Sequence, residues 1–585
     1  MKEKVPRREF IRQMARAGVA LSIAACMGEG SCGGGKEKDK RSIGAKPKPS
    51  SGLPKAPKLL LISIDSLPPH YLTLNAQATG PGKSGDWLMP RVRQFVDEGV
   101  IFDNARCYLP SATDMNHLNA IAGTCSADTG IVGVSMQFFD WRDDGTPNIV
   151  RPSISWARDH RDEPVDTLFN AWKRKWPGSR TLYASGKGWV AEMFRTKSSG
   201  VDIILTGYDH PGWIPSPAPV KFYNPPTGKD DVSASLATMI YSRTAYEKKP
   251  EHFPSDAWLA DAALEVLEGE KPDFGVILLA QMDDAQHGLG AIGGFGEFSM
   301  NRRLFSGMVE ESRFNSDVWK GPIVAAVRDV DIQFGRLVDG IRHIPYYRDA
   351  AIVLYSDHGH RTHRDTILSN FEGRLNTNPL EVLGEAGFLT SREKEGKDIL
   401  IYTATSFGIA HFRGKSGCER AQEAKRILTS HRVYDRLTGA LVSPWRIIDR
   451  AEMEAGIPGM CNPGELFHRS FSKNSGQGSP HWPDLFIFML DGWQLPITSK
   501  MVHNIGGTLP WYLPTTYIFY GGHGAPDTAG IVMAFQGPGV SKGKVVPDPE
   551  FRRDHRISDI AATAAAIFNL RLGSCFAGRD RSADL

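Results

Sequence analysis

Seven cysteines in 585 residues are few, and no two of them form a CxxC pair. That pattern argues against a structural zinc site, whose cysteines come in close pairs. Five of them, Cys107, Cys125, Cys418, Cys461 and Cys575, lie in the body of the chain, and spacing alone assigns no disulfide among them. Charge of one sign is also missing. The 69 Lys and Arg residues against 66 Asp and Glu leave a formal net charge of +3, so there is no electrostatic footprint for a nucleic-acid polymer. No internal repeat is visible, which removes solenoids and propellers from consideration. What remains is ordinary for a globular protein, with 41% hydrophobic and 23% charged residues. A chain of this length predicts one large α/β domain with insertions, or a domain plus a cap.

The N-terminus has a composition of its own. Arg7-Arg8-Glu9-Phe10-Ile11-Arg12 precedes an apolar run, Ala17 to Ala25, that is too short to span a bilayer. It resembles a twin-arginine (Tat) export signal, the route for proteins exported already folded, which makes the Tat machinery an expected partner. Ile23-Ala24-Ala25-Cys26 is similar to a bacterial lipobox, which implies a membrane anchor through a lipidated Cys26 and a periplasmic or cell-surface location. The alternative is a plain cleaved signal. Residues 1–26 are thus read as the signal and 27–57, rich in Gly, Lys, Pro and Ser, as a flexible linker.

From Lys58 the pattern alternates between strands and helices. Leu59 to Ile64 is a continuous apolar run suited to a strand buried on both faces. Similar runs at Thr181 to Ala184, Phe274 to Ala280, Ala351 to Ser356, Leu485 to Met489 and Ile531 to Gln536 are separated by helical stretches such as Ala257 to Leu267 and Ile323 to Ile341. This predicts an α/β fold with a mostly parallel central sheet and helices on both faces. Two regions, 290–320 and 360–483, break the rhythm, and the second is long enough to be an inserted cap subdomain.

In a parallel sheet, functional groups gather beyond the carboxyl ends of the strands. Asp65 ends the first run, Asp283 and His287 follow the third, Asp357-His358 follow the fourth, and His523 follows Tyr517 to Tyr520. Three carboxylates and three imidazoles are too many ligands for one tetrahedral zinc and about right for a pair of divalent ions. Paired ions about 4 Å apart suit in-line phosphoryl transfer.

The order and context of these residues resemble the alkaline phosphatase superfamily, especially its nucleotide pyrophosphatase/phosphodiesterase branch. Ile64-Asp65-Ser66 is similar to the first ligand strand, and Leu109 to His117, continuing to Ala122-Gly123-Thr124 and Gly130-Ile131-Val132-Gly133, to the nucleophile loop and helix. Asp283 to Gly288 resembles the DxxxH pair, Ser356-Asp357-His358-Gly359 the DHG motif, and Gly522-His523-Gly524 the last histidine. The resemblance covers residues 58–575 and implies an alkaline-phosphatase-like fold with two divalent ions, expected to be Zn2+. By it, Asp283, His287 and His523 hold one ion, while Asp65, Asp357, His358 and the Thr113 hydroxyl hold the other. Thr113 would be the nucleophile and Asn116 a phosphate-binding residue.

A metal-bound Thr hydroxyl has a lowered pKa, so Thr113 can attack phosphorus and form a phospho-threonine that water then hydrolyses. The start of the helix from Asp114 can face the phosphoryl oxygens. An N-cap role for Thr113 is compatible with this chemistry. No C/S-x-P-x-R motif is present, which disfavours a sulfatase. Ser185-Gly186-Lys187-Gly188-Trp189 lies where some relatives carry a Lys-x-Arg pair for a monoester's extra charge, with Lys187 matching and Trp189 in place of the Arg. Lys187 and Trp189 are therefore substrate-binding candidates, and the substitution favours phosphodiesters or nucleotide pyrophosphates. A phosphomonoesterase, a phosphonoacetate-type hydrolase and a catalytically silent binding lipoprotein are the alternatives. His360 and His363, just after the DHG motif, are candidates to line the cleft, with solvated or capping roles the expectation for each.

Overall fold

The computed structural model describes residues 56–125, 138–141, 147–150, 165–187, 190–191, 193–194, 199–206, 221–223, 256–289, 291–292, 316–362, 379–388, 399–403, 406–412, 417–435, 440–455, 484–490, 521–548, 555–573 and 578–585. The export signal, Cys26, the linker up to residue 55, Trp189 and His363 lie outside these residues.

The strands are β1 (Leu59–Ile64), β2 (Val100–Phe102), β3 (Phe138–Trp141), β4 (Pro147–Val150), β5 (Thr181–Ser185), β6 (Ile203–Thr206), β7 (Lys221–Tyr223), β8 (Phe274–Leu279), β9 (Ala351–Tyr355), β10 (Arg361–Thr362), β11 (Ile399–Thr403), β12 (Phe407–Phe412), β13 (Val433–Asp435), β14 (Ala440–Val442), β15 (Trp445–Asp449), β16 (Leu485–Met489), β17 (Gly521–Gly522), β18 (Met533–Gln536) and β19 (Lys544–Val546). Nine of them form one sheet in the order β19-β2-β18-β9-β1-β8-β5-β6-β7. Its centre is parallel from β9 through β6, and antiparallel pairings are made by β18 and, at one edge, β7.

The helices that concern the site are α1 (Pro90–Asp97), α2 (Thr113–Ala122), α3 (Leu168–Lys175), α4 (Asp256–Glu270), α5 (Gln281–Leu289), α6 (Ser316–His343), α7 (Pro379–Glu385), α8 (Gly417–Ser430), α9 (Arg450–Ala455) and α10 (Asp559–Ile567). All six residues of β1 are buried. Leu59 and Leu61 face a core shared with α2, α3 and α10, while Leu60, Ile62 and Ile64 face one shared with α1, α4 and α6. A strand covered on both faces reads as a nearly continuous apolar run, interrupted in β1 by the buried Ser63. The expected α/β architecture, with helices on both faces, is what the chain adopts.

Two segments differ from the sequence expectation. β16 belongs to a second, antiparallel sheet of order β11-β12-β16-β15, not to the central one. Its alternate residues explain the ambiguity. Phe486 and Phe488 pack into the core of the central domain, and Leu485, Ile487 and Met489 into the core of the insertion with α8. A strand sandwiched in this way is buried on both faces, so periodicity alone cannot say which sheet it joins. The sheet that holds β11, β12 and β15 therefore takes a strand from beyond residue 483. Helix α6 starts at Ser316, inside the stretch read as the first insertion, because it runs through Gly321-Pro322, a pair that reads as a helix break. Tyr517 to Tyr520 lie outside the described residues.

Candidate metal centre

Register brings four strand ends together. Ile64 pairs with Leu279, Ser63 with Tyr355, and Ser185 with Leu278, so the chain leaves β1, β5, β8 and β9 at one edge of the sheet. Asp65, Lys187, Asp283 and Asp357 stand within a few residues of those exits and are all buried. Ser66 has a positive φ of 68°, which turns the chain sharply after Asp65, and its backbone N–H donates to Asp357 Oδ1 at 3.0 Å.

Helix α5 carries Asp283 and His287 one turn apart, on one face, with His287 Nε2 3.5 Å from Asp283 Oδ2. The start of this helix is held by Asp256, whose Oδ1 accepts the N–H groups of Ala280 at 2.8 Å and Gln281 at 3.2 Å. His523 follows β17, which pairs with β10 directly after the DHG segment. The His358 and His523 rings stack with centroids 3.7 Å apart, so the two expected ligand groups share a wall.

Thr113 is the first residue of α2, and the N-cap is Ala112, which makes no side-chain cap. Thr113 is 1% exposed, and its Oγ1 lies 3.1 Å from His358 Nε2. The loop before it is tied to the His523 loop. Ser111 donates to Ala525 O at 3.0 Å, Gly524 N–H donates to Ser111 Oγ at 3.0 Å, and His523 Nδ1 lies 2.8 Å from Ser111 O.

Asn116, expected as a phosphate-binding residue, makes three hydrogen bonds within the loop that carries Thr113. Its Nδ2 donates to the carbonyls of Tyr108 and Ala112, both at 3.1 Å, and its Oδ1 accepts from Tyr108 N–H at 3.0 Å. The amide is fully buried, one turn into the helix, and its polar atoms clamp the loop that carries Thr113. Both amide protons are used inside the protein.

The donor set fits divalent metal. Asp65, Asp357 and His358 form one group of ligand atoms within 4.8 Å of one another, Asp283, His358 and His523 a second, and Asp283, His287 and His360 a third. Among the described residues Asp65 Oδ1, Asp283 Oδ1 and Asp357 Oδ2 are buried without a hydrogen-bond partner, and Asp65 Oδ2 meets the Lys187 ammonium at 2.9 Å. Buried carboxylate oxygens left bare are costly unless a cation completes them. The histidines are oriented for the task. With Nδ1 of His358 on Gly359 O at 3.0 Å and Nδ1 of His523 on Ser111 O, the Nε2 atoms are left to face the cluster.

Electrostatics among these groups are mixed: against the lowering effect of burial, the Asp357 charge lifts His358 to about 9. Burial and the nearby Asp357 raise the Asp65 carboxyl above its usual range. Burial also works to raise Asp357, but His358 and His117 outweigh it and hold it at about 2. For Asp283 the Lys187 ammonium and neighbouring histidines overcome burial and hold it well below the ordinary value. Burial, followed by the His358 charge, drives His523 down, toward the neutral imidazole that ligates metal.

Lys187 lies inside this cluster, its Nζ 2.5 Å from Asp283 Oδ2 and 2.9 Å from Asp65 Oδ2, bridging carboxylates expected on different ions. Two further histidines join the cluster beyond the expected ligands. His117, one turn along α2 from Thr113, is fully buried, with Nδ1 3.1 Å from the Tyr355 hydroxyl and Nε2 3.6 Å from Asp357 Oδ2. His360 is buried rather than solvated, with Nδ1 2.8 Å from Ser66 Oγ and 3.3 Å from Asp283 Oδ1. The signal for it was the spacing of two from His358, which in extended backbone puts both side chains on one side.

A family model for type I phosphodiesterase/nucleotide pyrophosphatase matches residues 59–525. Among solved structures, phosphonoacetate hydrolase from Sinorhizobium meliloti 1021 in complex with phosphonoacetate is similar over 88% of this chain and 96% of its own, at 14% identity and a TM-score of 0.50, which is a likeness of fold. Murine ectonucleotide pyrophosphatase/phosphodiesterase 5 matches over 90% of this chain and 98% of its own, at 13% identity and a TM-score of 0.46. No curated protein matches the sequence significantly. With a match spanning most of its length and the fold expected of the alkaline phosphatase superfamily, the chain belongs to the type I phosphodiesterase/nucleotide pyrophosphatase family and is a hydrolase of phosphoric esters.

Proposed function

We propose that this hydrolase uses two divalent metal ions, expected to be Zn2+, and Thr113 as its nucleophile, acting on phosphodiesters or nucleotide pyrophosphates. The observation that carries the reading is Thr113 Oγ1, 3.1 Å from His358 Nε2, at the start of α2 and beside carboxylates with bare oxygens. Asp283, His287 and His523 would hold one ion, and Asp65, Asp357, His358 and Thr113 the other. Bound there, the ions would lower the pKa of the Thr113 hydroxyl and stabilise charge on the phosphoryl oxygens.

The chain's own part follows from its geometry. Asn116 and Ser111 fix the loop, so that Thr113 presents Oγ1 to phosphorus without a search of conformers. The Thr113 oxygen bonds to phosphorus as the ester oxygen leaves with its electron pair, giving a phospho-threonine and a free alcohol or nucleotide. Water then displaces the threonine oxygen and regenerates Thr113. The positive end of α2 lies at the phosphoryl group throughout.

The place of Lys187 supports the diester preference. Its ammonium is engaged by Asp65 and Asp283, so its charge is already matched before a dianionic monoester arrives. The paired Arg7-Arg8 and Cys26 extend the proposal to Tat export and a lipid anchor in the periplasm or at the cell surface.

The test is Thr113→Ala with bis-p-nitrophenyl phosphate, p-nitrophenyl phosphate and p-nitrophenyl sulfate on one preparation. Loss of the nucleophile is expected to lower kcat/KM for the diester by roughly four orders of magnitude, with the fold intact. Full activity in the variant would refute the nucleophile. Faster turnover of the monoester than the diester would refute the substrate class. Retention of a Cys26→Ser variant in the membrane fraction would refute the anchor.

A further inference from the structure

We propose that His360 is a fourth protein ligand of the ion held by Asp283, His287 and His523, so that this site presents three imidazoles and one carboxylate. The inference rests on the two-metal reading above and adds a ligand to it.

The backbone puts His360 there. Arg361 pairs with Gly522 in the antiparallel β10/β17 bridge, which sets His360 opposite His523 across the two segments. Gly359, directly before, donates its N–H to Thr528 O at 2.7 Å, and a Cβ at that glycine would stand 3.2 Å from Gly530 O. The approach of the DHG segment to the His523 loop is thus held from both ends. The placement of His360 is a product of this pairing rather than of a flexible side chain reaching inward.

The side chain then meets the ligand set. His360 is 5% exposed. Its Nδ1 lies 3.3 Å from Asp283 Oδ1, its ring packs edge-on to His287 with centroids 4.7 Å apart, and the His523 ring is 5.6 Å away. Asp283, His287 and His360 each offer an atom to a group spanning no more than 4.8 Å. Nδ1 also contacts Ser66 Oγ, while Nε2 is buried with no hydrogen-bond partner. An imidazole in such surroundings, among metal-ligating groups and short of partners, has the chemistry of a ligand.

Four protein ligands would saturate a tetrahedral ion and close it to substrate. The open position that catalysis needs then requires five-coordination, with four protein atoms and one exchangeable oxygen. The extra imidazole therefore predicts a site that departs from tetrahedral geometry and holds its ion more tightly than a three-ligand site would.

The experiment compares wild type with His360→Gln, each stripped by chelator and reloaded with Co2+, following bound metal by titration against a competing chelator and coordination by the visible d–d bands. Wild type is expected to bind two ions. In His360→Gln the affinity of one is expected to fall by more than about 100-fold, beyond the 10–100-fold that loss of an outer-shell partner costs, and the d–d bands of that ion are expected to change. Unchanged bands would overturn the assignment and leave His360 a hydrogen-bonding neighbour of Asp283. If the glutamine variant does not fold, X-ray absorption of an otherwise native Asp357→Asn protein carrying one ion decides the matter. Three imidazoles support the proposal and two overturn it. A wild type that takes up no divalent ion refutes the two-metal reading, and the ligand assignment with it, whereas two bound ions with unchanged bands refute His360 alone.

Discussion

Asp256 offers a measurable link between the metal-ligand helix and the stability of the fold. It is 2% exposed, and its carboxylate receives the N–H groups of Ala280 and Gln281 at the point where β8 turns into α5. Burial pushes its carboxyl up from 3.8 to about 7, against the lowering effect of those two backbone donors. The sign follows from proton counting. Below pH 3.8 the group is protonated whether folded or unfolded, and its stabilising proton uptake is fully present. As pH rises from 3.8 to about 7 the unfolded chain has released the proton that the native state still holds, so stability falls with each step and the loss is complete above about 7. At about 1.4 kcal/mol per pH unit the full change has a ceiling of about 4 kcal/mol. Asp256→Asn keeps the acceptor oxygen for Ala280 and Gln281 but cannot ionise. Urea unfolding of the chelated proteins at several pH values between 4 and 7 is expected to show wild type losing stability relative to Asp256→Asn as pH rises. Subtracting one curve from the other removes the titrations the two proteins share. Parallel curves across that window would refute the argument. Asp256→Ala, which also removes the acceptor, is expected to cost about 1–3 kcal/mol and to weaken metal binding through the displaced start of α5.

Other tests address the remaining parts of the site. Gly524 has φ +114°, and a Cβ there would stand 2.2 Å from Phe407 Cδ1, so Gly524→Ala is expected to cost about 2–4 kcal/mol in urea and to lower metal content by moving His523. Asn116→Leu removes the side-chain partner of Tyr108 N–H and of the Tyr108 carbonyl, while the Ala112 carbonyl keeps the backbone N–H of residue 116, and a loss of roughly 1–3 kcal/mol is expected. A rise in KM at unchanged stability would restore Asn116 as a phosphate ligand. Chelation is expected to lower the unfolding temperature, because Asp65, Asp357 and Asp283 then have fewer positive charges among them, and ions added back at 100 times their Kd to restore about 2.7 kcal/mol for each site. An unfolding temperature indifferent to chelator would refute the fit of the site to metal.

Much of this protein was legible before any coordinate. Apolar runs covered on both faces announced a mostly parallel sheet, and the polar residues that end them marked where ligands would converge, because a strand's exit is where its buried face gives way to function. Asp65, Asp283, His287, Asp357, His358, His523 and Thr113 are brought to one sheet edge from segments up to hundreds of residues apart. The parts that were not legible share a cause. Which groups the Asn116 amide meets could not be read in advance, because the Tyr108 and Ala112 carbonyls come into reach only once the loop is folded. Leu485–Met489 reads as a buried strand and is one, yet its place in the inserted sheet depends on partners supplied by β12 and β15.

The family and the place where acidic and imidazole groups gather were therefore properties of the sequence, since residue types at strand ends carry them locally and in order. The neighbours were not. That Lys187 bridges Asp65 and Asp283, that His117 backs Asp357, and that His360 sits opposite His523 were decided by register between distant segments, which sets distances of a few ångströms that no linear pattern encodes.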